Sequence, residues 1–450
     1  MPSGATSGNV SVVTGAGASN TRAVSIISPR WYLAEGSTAW GFSTFIYIEN
    51  PNPTALTANI TYMPKGSTNV VQNVALPANS QTTVNPEDKL GSKDFSTMIV
   101  CSDASKTIAV DRTMVWTGPG APSSEGHSSV GVTSPAKTWY LPEGSSAWGF
   151  ECWLLVQNPG ATDASVDFTY MIEGIGPKKV THSVKAHSRD TFNMETDIGQ
   201  HDASVMITAN QPVIPERAMY KNDRREGHES IGTTAPANDF YLAEGTTAWG
   251  FTTYVLVQNP QATSTNVTVT YMTPSGPTVQ PVFTMPANSR KTIRVNDVAG
   301  VSNTDLSTQV HGSQPIIAER AMYWGSSTNA GEACHDSIGM ASAHTTFYLP
   351  NGYSDPEDAQ SETWTLVQNP NSTDVKIQIS YLTPDGKNNV TFTDTVAKNS
   401  RQTYNMEDKI TGRAAIKVTS LTAGKKIMVE RSMYWGFRGA GTDTVGGFSD

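Results

Sequence analysis

The chain has 450 residues, of which 37% are hydrophobic and 16% charged, and 40 acidic against 31 basic residues give a net charge of −9. That hydrophobic share supports a folded core rather than a disordered chain, while the acidic balance speaks against nucleic acid, whose phosphates need clustered Lys and Arg. No stretch approaches the roughly 18 consecutive apolar residues of a membrane span, and the first residues (MPSGATSGNVSVV) lack the basic and apolar regions of an export signal.

Residues 1–30 read as an extended arm, rich in Gly, Ser and Val from Ser7 to Asn20 and followed by Ala23 to Pro29. One phrase then returns four times: WYLAEGSTAWGFSTFIYIENPN from Trp31, WYLPEGSSAWGFECWLLVQNPG from Trp139, FYLAEGTTAWGFTTYVLVQNPQ from Phe240, and a degenerate FYLPNGYSDPEDAQSETWTLVQNPN from Phe347. Self-similarity at a spacing of about 105 residues divides the chain into the arm and repeats at 31–134, 135–236, 237–343 and 344–450.

Within each repeat the same signals follow in the same order. A Tyr-Met or Tyr-Leu strand (Ile60–Met63, Phe168–Met171, Val269–Met272, Ile379–Leu382) precedes a turn ending in Ser-Gln or Ser-Arg (Gln81, Arg189, Arg290, Arg401). An acid-Arg-x-Met strand comes next: Asp111-Arg112, Glu216-Arg217, Glu319-Arg320, Glu430-Arg431. Three repeats close on a His: His127, His228 and His335. In the third repeat Val267, Val269 and Tyr271 alternate with Thr268 and Thr270, the period of a half-buried strand, and Asn-Pro and Ser-Gly pairs punctuate such segments. The fold class expected is all-β: four tandem immunoglobulin-like antiparallel β-sandwich units with an extended N-terminal arm, each unit of about seven strands. The Trp between paired cysteines that marks true immunoglobulin domains is missing. Each unit is large enough to own a core, so contacts beyond sequence neighbours are not required.

The combination YLAEGxTxWGFxTYxLVQNP, ERxMYW and GHxSIG resembles a repeat domain of unknown function that occurs in tandem in surface and cell-wall-associated proteins of actinobacteria and related bacteria. The resemblance covers residues 24–450 and implies an exported, non-enzymatic surface module.

Three sets of side chains recur at fixed places. Glu35, Glu143 and Glu244, the arginines Arg112, Arg217, Arg320 and Arg431, and the histidines His127, His228 and His335 could form a polar site on every unit that holds a sugar or a carboxylate. The favoured reading is structural, because adjacent strand residues face opposite sides and Glu216 and Arg217 cannot share one partner surface. The fourth repeat also puts Asn351 in the Glu place and, on this alignment, Phe448 in the His place. Trp40, Trp148 and Trp249 could stack on sugar rings, though packing of the Trp-Gly-Phe phrase against the previous unit is the favoured expectation. Exposure in a shared concave site would favour glycan, burial at unit junctions a scaffold.

The insert of the fourth repeat gathers Asp355, Glu357, Asp358 and Glu362, a weak calcium candidate without EF-hand spacing; no other metal is expected. Cys101, Cys152 and Cys334 show no CxxC spacing and read as small buried hydrophobes, with a single bridge as the alternative. GxSxG, P-loop, HExxH and strand-borne GxGxxG motifs are absent, so neither enzyme nor cofactor is expected.

The ends suggest self-association. Were the segment after each closing His to complete its own repeat, the last repeat would have an open sheet edge, which the arm of another copy could fill by strand addition. Val10, Val12, Val13, Val24, Ile26 and Phe448 are the candidates for that contact. The chain is therefore expected to be an extracellular stalk or filament subunit at the bacterial cell surface, its partner another copy of itself. The alternative is a carbohydrate-binding array for cell-wall or environmental glycan.

Overall fold

A computed structural model describes residues 8–13, 19–24, 30–121, 123–325, 332–358 and 360–450. Apart from the short helices Glu87–Leu90 and Met194–Ile198 and two 3-10 turns, the described elements are antiparallel strands. No helix among them is long and apolar enough to cross a membrane.

The second repeat shows the plan. Gly176–Val184, Ala164–Ile172, the first half of Ala203–Lys221 and Ala136–Leu141 form one sheet. Ser188–Asn193, Phe150–Asn158, the second half of Ala203–Lys221 and Glu226–Ile231 form the other. The 19-residue strand Ala203–Lys221 passes from one sheet to the other where its register shifts, opposite Ala136 and Thr138. In the first and last repeats this strand is cut in two, Phe95–Cys101 with Ala109–Trp116 and Ala415–Ser420 with Met428–Trp435. The sandwich is as the alternation implied. It has eight strand segments rather than about seven, because one strand serves both sheets and the His-bearing segment is a strand of its own.

The arrangement of the repeats differs from a row of units with separate cores. A single apolar cluster runs from Trp31 through Val445. The closing strands Glu125–Val130, Glu226–Ile231, Ala333–Ile338 and Ala440–Val445 each touch the next, and the last also touches the first. Twelve residues of these four strands line one axial space of about 10 Å³, room for a single water. Hydrogen bonds join the fourth repeat to the first: Thr442 Oγ1 to Ser128 Oγ at 2.7 Å, Trp435 Nε1 to the Ser124 carbonyl at 2.6 Å, and Asn351 Nδ2 to Thr113 Oγ1 at 3.2 Å. The chain closes into a ring.

A tryptophan keys the junctions. Trp116 Nε1 donates to the Arg224 carbonyl of the following repeat, and Trp324 and Trp435 do likewise to Arg438 and Ser124. Each ring lies against a glycine: a Cβ built on Gly227 would stand 3.0 Å from Trp116, one on Gly441 3.0 Å from Trp324, and one on Gly126 2.9 Å from Trp435. Between the second and third repeats both partners change together, Lys221 standing in the Trp place and Cys334 in the Gly place. One methylene of space is needed only where an indole fills the other side.

The two ends also differ from expectation. Residues after each closing strand bridge back to their own repeat, Val132 to Tyr32, Thr233 to Tyr140 and Met340 to Tyr241, before running into the next. In the last repeat Gly447–Ser449 takes that place beside Thr346–Leu349, with Phe448 stacked on His344 at 3.7 Å. The edge thought open is filled by the chain itself, and Phe448 is occupied there. In the arm, Gly8–Val13 pairs with Ser19–Val24, placing Val10, Val12, Val13 and Val24 opposite Arg22, Asn20, Ser19 and Gly8. Ile26 lies outside the described residues.

Candidate functional site

The recurrent Glu, Arg and His residues meet at the junctions, buried. Glu216 reaches back to the first repeat, accepting from the Ala34 and Glu35 amides at 2.8 and 3.2 Å. Its neighbour Arg217 faces forward, donating to Glu319 at 2.8 Å and to Asp336, and to Glu143 of its own repeat at 3.3 Å. Strand alternation thus sends the acid and the base to opposite junctions. Arg112 meets Glu216 at 3.0 Å, Glu229, and Glu35 at 3.6 Å. Arg320 meets Glu430 and Asp443 at 2.9 and 2.8 Å, while Glu430 accepts from the Ala243 amide. Glu244 lies 3.5 Å from Arg401.

The histidines serve the same contacts. His127 reaches Tyr220 Oη at 3.1 Å and Glu229 at 2.8 Å, and His228 reaches Tyr323 at 2.8 Å and Asp336 at 2.9 Å. His335 reaches Tyr434 at 3.1 Å and the Arg320 guanidinium at 3.1 Å. Three carboxyls crowd one guanidinium and one imidazole at each of these junctions. Burial, assisted by the charge of Glu229, pushes Glu35 up to about 8; burial also raises Glu244 and Glu319 to about 7. Burial, with Arg320 next to it, holds His335 well below its ordinary value.

Glu35–His127–Glu229 and Glu143–His228–Asp336 each bring three ligand atoms within 4.8 Å, close enough to hold a metal ion. Arg112 and Arg217 donate into the same carboxylates, however, and a guanidinium there supplies the positive charge and repels a second cation. These clusters are ion pairs that join repeats. The insert carboxylates are engaged within the chain: Asp358 and Asp355 both accept from Tyr353, at 2.8 and 3.4 Å, Asp355 also from the Glu357 amide, and Glu362 is held by Arg438 at 2.7 Å. All three cysteines are free and buried.

The tryptophans behave otherwise. Trp40, Trp148 and Trp249 are 82%, 78% and 79% exposed, so the expected packing against the previous unit is not what they do. Each occupies, with the following glycine, the centre of a tight turn closed by a hydrogen bond such as Phe42 N to Ala39 O at 3.0 Å. Both central residues have positive φ, 60° at Trp40 and 85° at Gly41, with 59° at Trp148 and Trp249. For a bulky residue the left-handed region costs about 1–2 kcal/mol. The turn holds the indole out and turns the next residue in: Phe42 packs on Trp116 at 5.4 Å, and Phe251 on Trp324 at 5.0 Å. Trp40 and Trp148 are steadied by hydrogen bonds from Nε1 to Asp94 and Asp202 at 3.3 and 3.2 Å.

Trp40 and Trp148 each line a cleft between repeats. The cleft of about 420 Å³ between the first and second repeats has Trp40 on one side and Trp153, Arg189 and Tyr220 on the other. That of about 550 Å³ between the second and third has Trp148 facing Tyr254, Arg290 and Tyr323, and is roomier where Lys221 replaces the keying Trp. Strand register places Trp364, Arg401 and Tyr434 correspondingly at the junction of Trp249. Trp153, Tyr254 and Trp364 escape sequence reading because they sit in a strand that otherwise varies little; an aromatic three residues after each Trp-Gly-Phe or its equivalent is the signal.

The fourth junction keeps Arg431 and Asp111, 3.7 Å apart, but lacks the rest of the set. The last repeat contributes Asn351 for Glu and no Trp-Gly turn, and register shows that Thr442, not Phe448, stands in the His place, since it pairs with Met433 as His127 pairs with Met114. Facing them, the first repeat has Val115 where the others have Tyr, Ser128 for the acid, Gln81 for Arg and Phe45 for Trp or Tyr. Both sides of one junction have changed, so each functional group belongs to a junction and not to a repeat.

The chain is an all-β protein of antiparallel sandwich sheets. Residues 219–423, from the end of the second repeat into the fourth, match the model of a family of unknown function (DUF5719). No curated protein matches the chain. The crystal structure of Thermotoga maritima 1070 is 11% identical and aligns over 24% of this chain and 96% of its own, with a TM-score of 0.22. A tetra-tandem repeat from the extending region of a large adhesion protein is 11% identical, over 89% of this chain and 93% of its own, with a TM-score of 0.12. Likenesses at such scores say nothing about the function of this chain.

Proposed function

We propose that this chain is an extracellular, non-enzymatic carbohydrate-binding protein of the bacterial surface, which holds glycan on Trp40, Trp148 and Trp249. The observation that carries this reading is the repeated display of an indole at positive φ, about four-fifths exposed, with Trp40 and Trp148 each lining a cleft between repeats. A strained backbone that three times leaves most of a large apolar ring unburied points to use of the ring by a ligand. Sugar rings present the flat C–H faces that an indole stacks on. The fourth junction closes without this set, so ring closure does not demand it.

The stalk or filament reading has less to support it, since the repeats curve back on themselves and Gly447–Ser449 occupies the edge that strand addition would use.

Co-sedimentation with insoluble polysaccharides tests the proposal. The wild-type chain is expected to pellet with at least one of them, and the W40A/W148A/W249A variant to stay in the supernatant. Equal pelleting of both would overturn it.

A further inference from the structure

Resting on that reading, we infer that the ligand is an uncharged polysaccharide of repeating structure, bound at three junctions of the ring at once. The inference follows from how the clefts handle charge and from how many there are.

An acidic polymer is favoured by surface cations that no carboxylate compensates. The exposed cations about these clefts are paired with carboxylates, Lys221 excepted, and buried Arg189 donates to Thr191 at 2.6 Å. At the first junction Lys65 pairs with Asp190 at 2.6 Å and Arg224 with Glu151 at 2.9 Å. At the second, Arg294 pairs with Asp297 at 2.9 Å, Lys221 lies over the Phe150 ring at 4.9 Å, and buried Arg290 donates to the Gly144 carbonyl at 3.2 Å. At the third, Arg438 pairs with Glu362 at 2.7 Å and Arg401 donates to the Gly245 carbonyl at 2.8 Å. What remains is an exposed indole, a half-buried second aromatic, and carboxylates and hydroxyls that accept from sugar O–H groups. The net charge of −9 adds repulsion towards an anionic chain.

Valence follows from closure. Because the repeats encircle one axis, Trp40, Trp148 and Trp249 hold successive stations around one rim, and the fourth station is blank on both of its sides. Three like sites at fixed spacing gain affinity from a ligand that repeats, through effective concentration rather than new contacts. A short oligosaccharide meets one site at a time.

The full chain and its W40A, W148A, W249A and triple variants, each made also with Gly in place of Ala to relieve the positive φ, are assayed for binding to a neutral panel (cellulose, chitin, β-1,3-glucan, starch) and an acidic one (cross-linked alginate, pectate). The expected result is binding to a neutral polymer that is unchanged between about 0.05 and 0.5 M salt, because screening acts on charges. Each single variant should bind about tenfold or more weakly and the triple variant not at all. Trp-dependent binding to an acidic polymer would overturn the neutral class and leave the glycan reading standing. Complete loss with one single variant, beside no effect of the other two, would overturn the three-site arrangement. Binding to neither panel would overturn the glycan reading itself.

Discussion

The paired change of Trp and Gly into Lys and Cys at one junction allows a quantitative test of how the ring is keyed. In Gly441→Ala the new methyl meets Trp324 at 3.0 Å, Tyr434 at 2.7 Å and the Met433 carbonyl at 2.9 Å. Overpacking of this kind costs about 1–3 kcal/mol. Trp324→Lys removes a ring that is only 7% exposed, together with its 2.7 Å bond to the Arg438 carbonyl, and should cost about 3–5 kcal/mol. Cys334 carries a Cβ beside Tyr323 at the junction where Lys221 stands, so the Tyr accommodates it and the Trp is what forbids it. Combining W324K with G441A should therefore cost less than the two single changes together by about 1–2 kcal/mol. Urea unfolding of the four proteins, read as midpoints at constant slope, measures this coupling. Additivity within about 0.5 kcal/mol would refute the keying argument.

Further outcomes follow from the junction chemistry. Carboxyls whose pKa is raised are protonated in the fold, so the stability they give is complete below about pH 4.5 and drains as pH rises through about 7 to 8, the values of Glu319, Glu244 and Glu35. Thermal midpoints should fall from pH 5 to pH 8.5, and Glu35→Gln should flatten that fall; a rise over this window would contradict the assignment. Arg217→Met leaves Glu143, Glu319 and Asp336 without their base and should cost about 3–5 kcal/mol, whereas Arg431→Met, whose one acid Asp111 lies at 3.7 Å, should cost clearly less in the same urea assay. Burial raises the Cys152 thiol to about 12, and all three thiols should resist a disulfide reagent until denaturant is added. Reaction of any of them at native pH 8 would contradict their burial.

The all-β sandwich sheets were legible in the sequence because a period of two and Asn-Pro or Ser-Gly turns are local signals. So was the divergence of Glu216 and Arg217, which needs only the alternation of a strand. Closure was not legible, since it rests on contacts such as Thr442 with Ser128 that lie 314 residues apart. In the sequence alone the fourth repeat is a degenerate copy. With Ser128, Val115 and Gln81 facing Asn351 and Thr442, it is one side of a junction whose other side changed too. The alignment of the repeats alone puts Phe448 in the His place; pairing with Met433 identifies Thr442 instead. The Trp-Gly-Phe phrase lies beside the junction between units, which favours packing of its Trp there, but an Ala-Trp-Gly-Phe turn with two positive φ values reverses which aromatic faces out.

The central claim is that the fourth repeat meets the first. Small-angle X-ray scattering of the chain in dilute solution tests it most directly, since compactness separates a ring from a row. A compact chain of this length has a radius of gyration of about 22 Å, whereas four sandwich units strung end to end would give about 40 Å. The account predicts a value close to the first, with a maximum dimension to match; a value near the second would contradict closure of the ring.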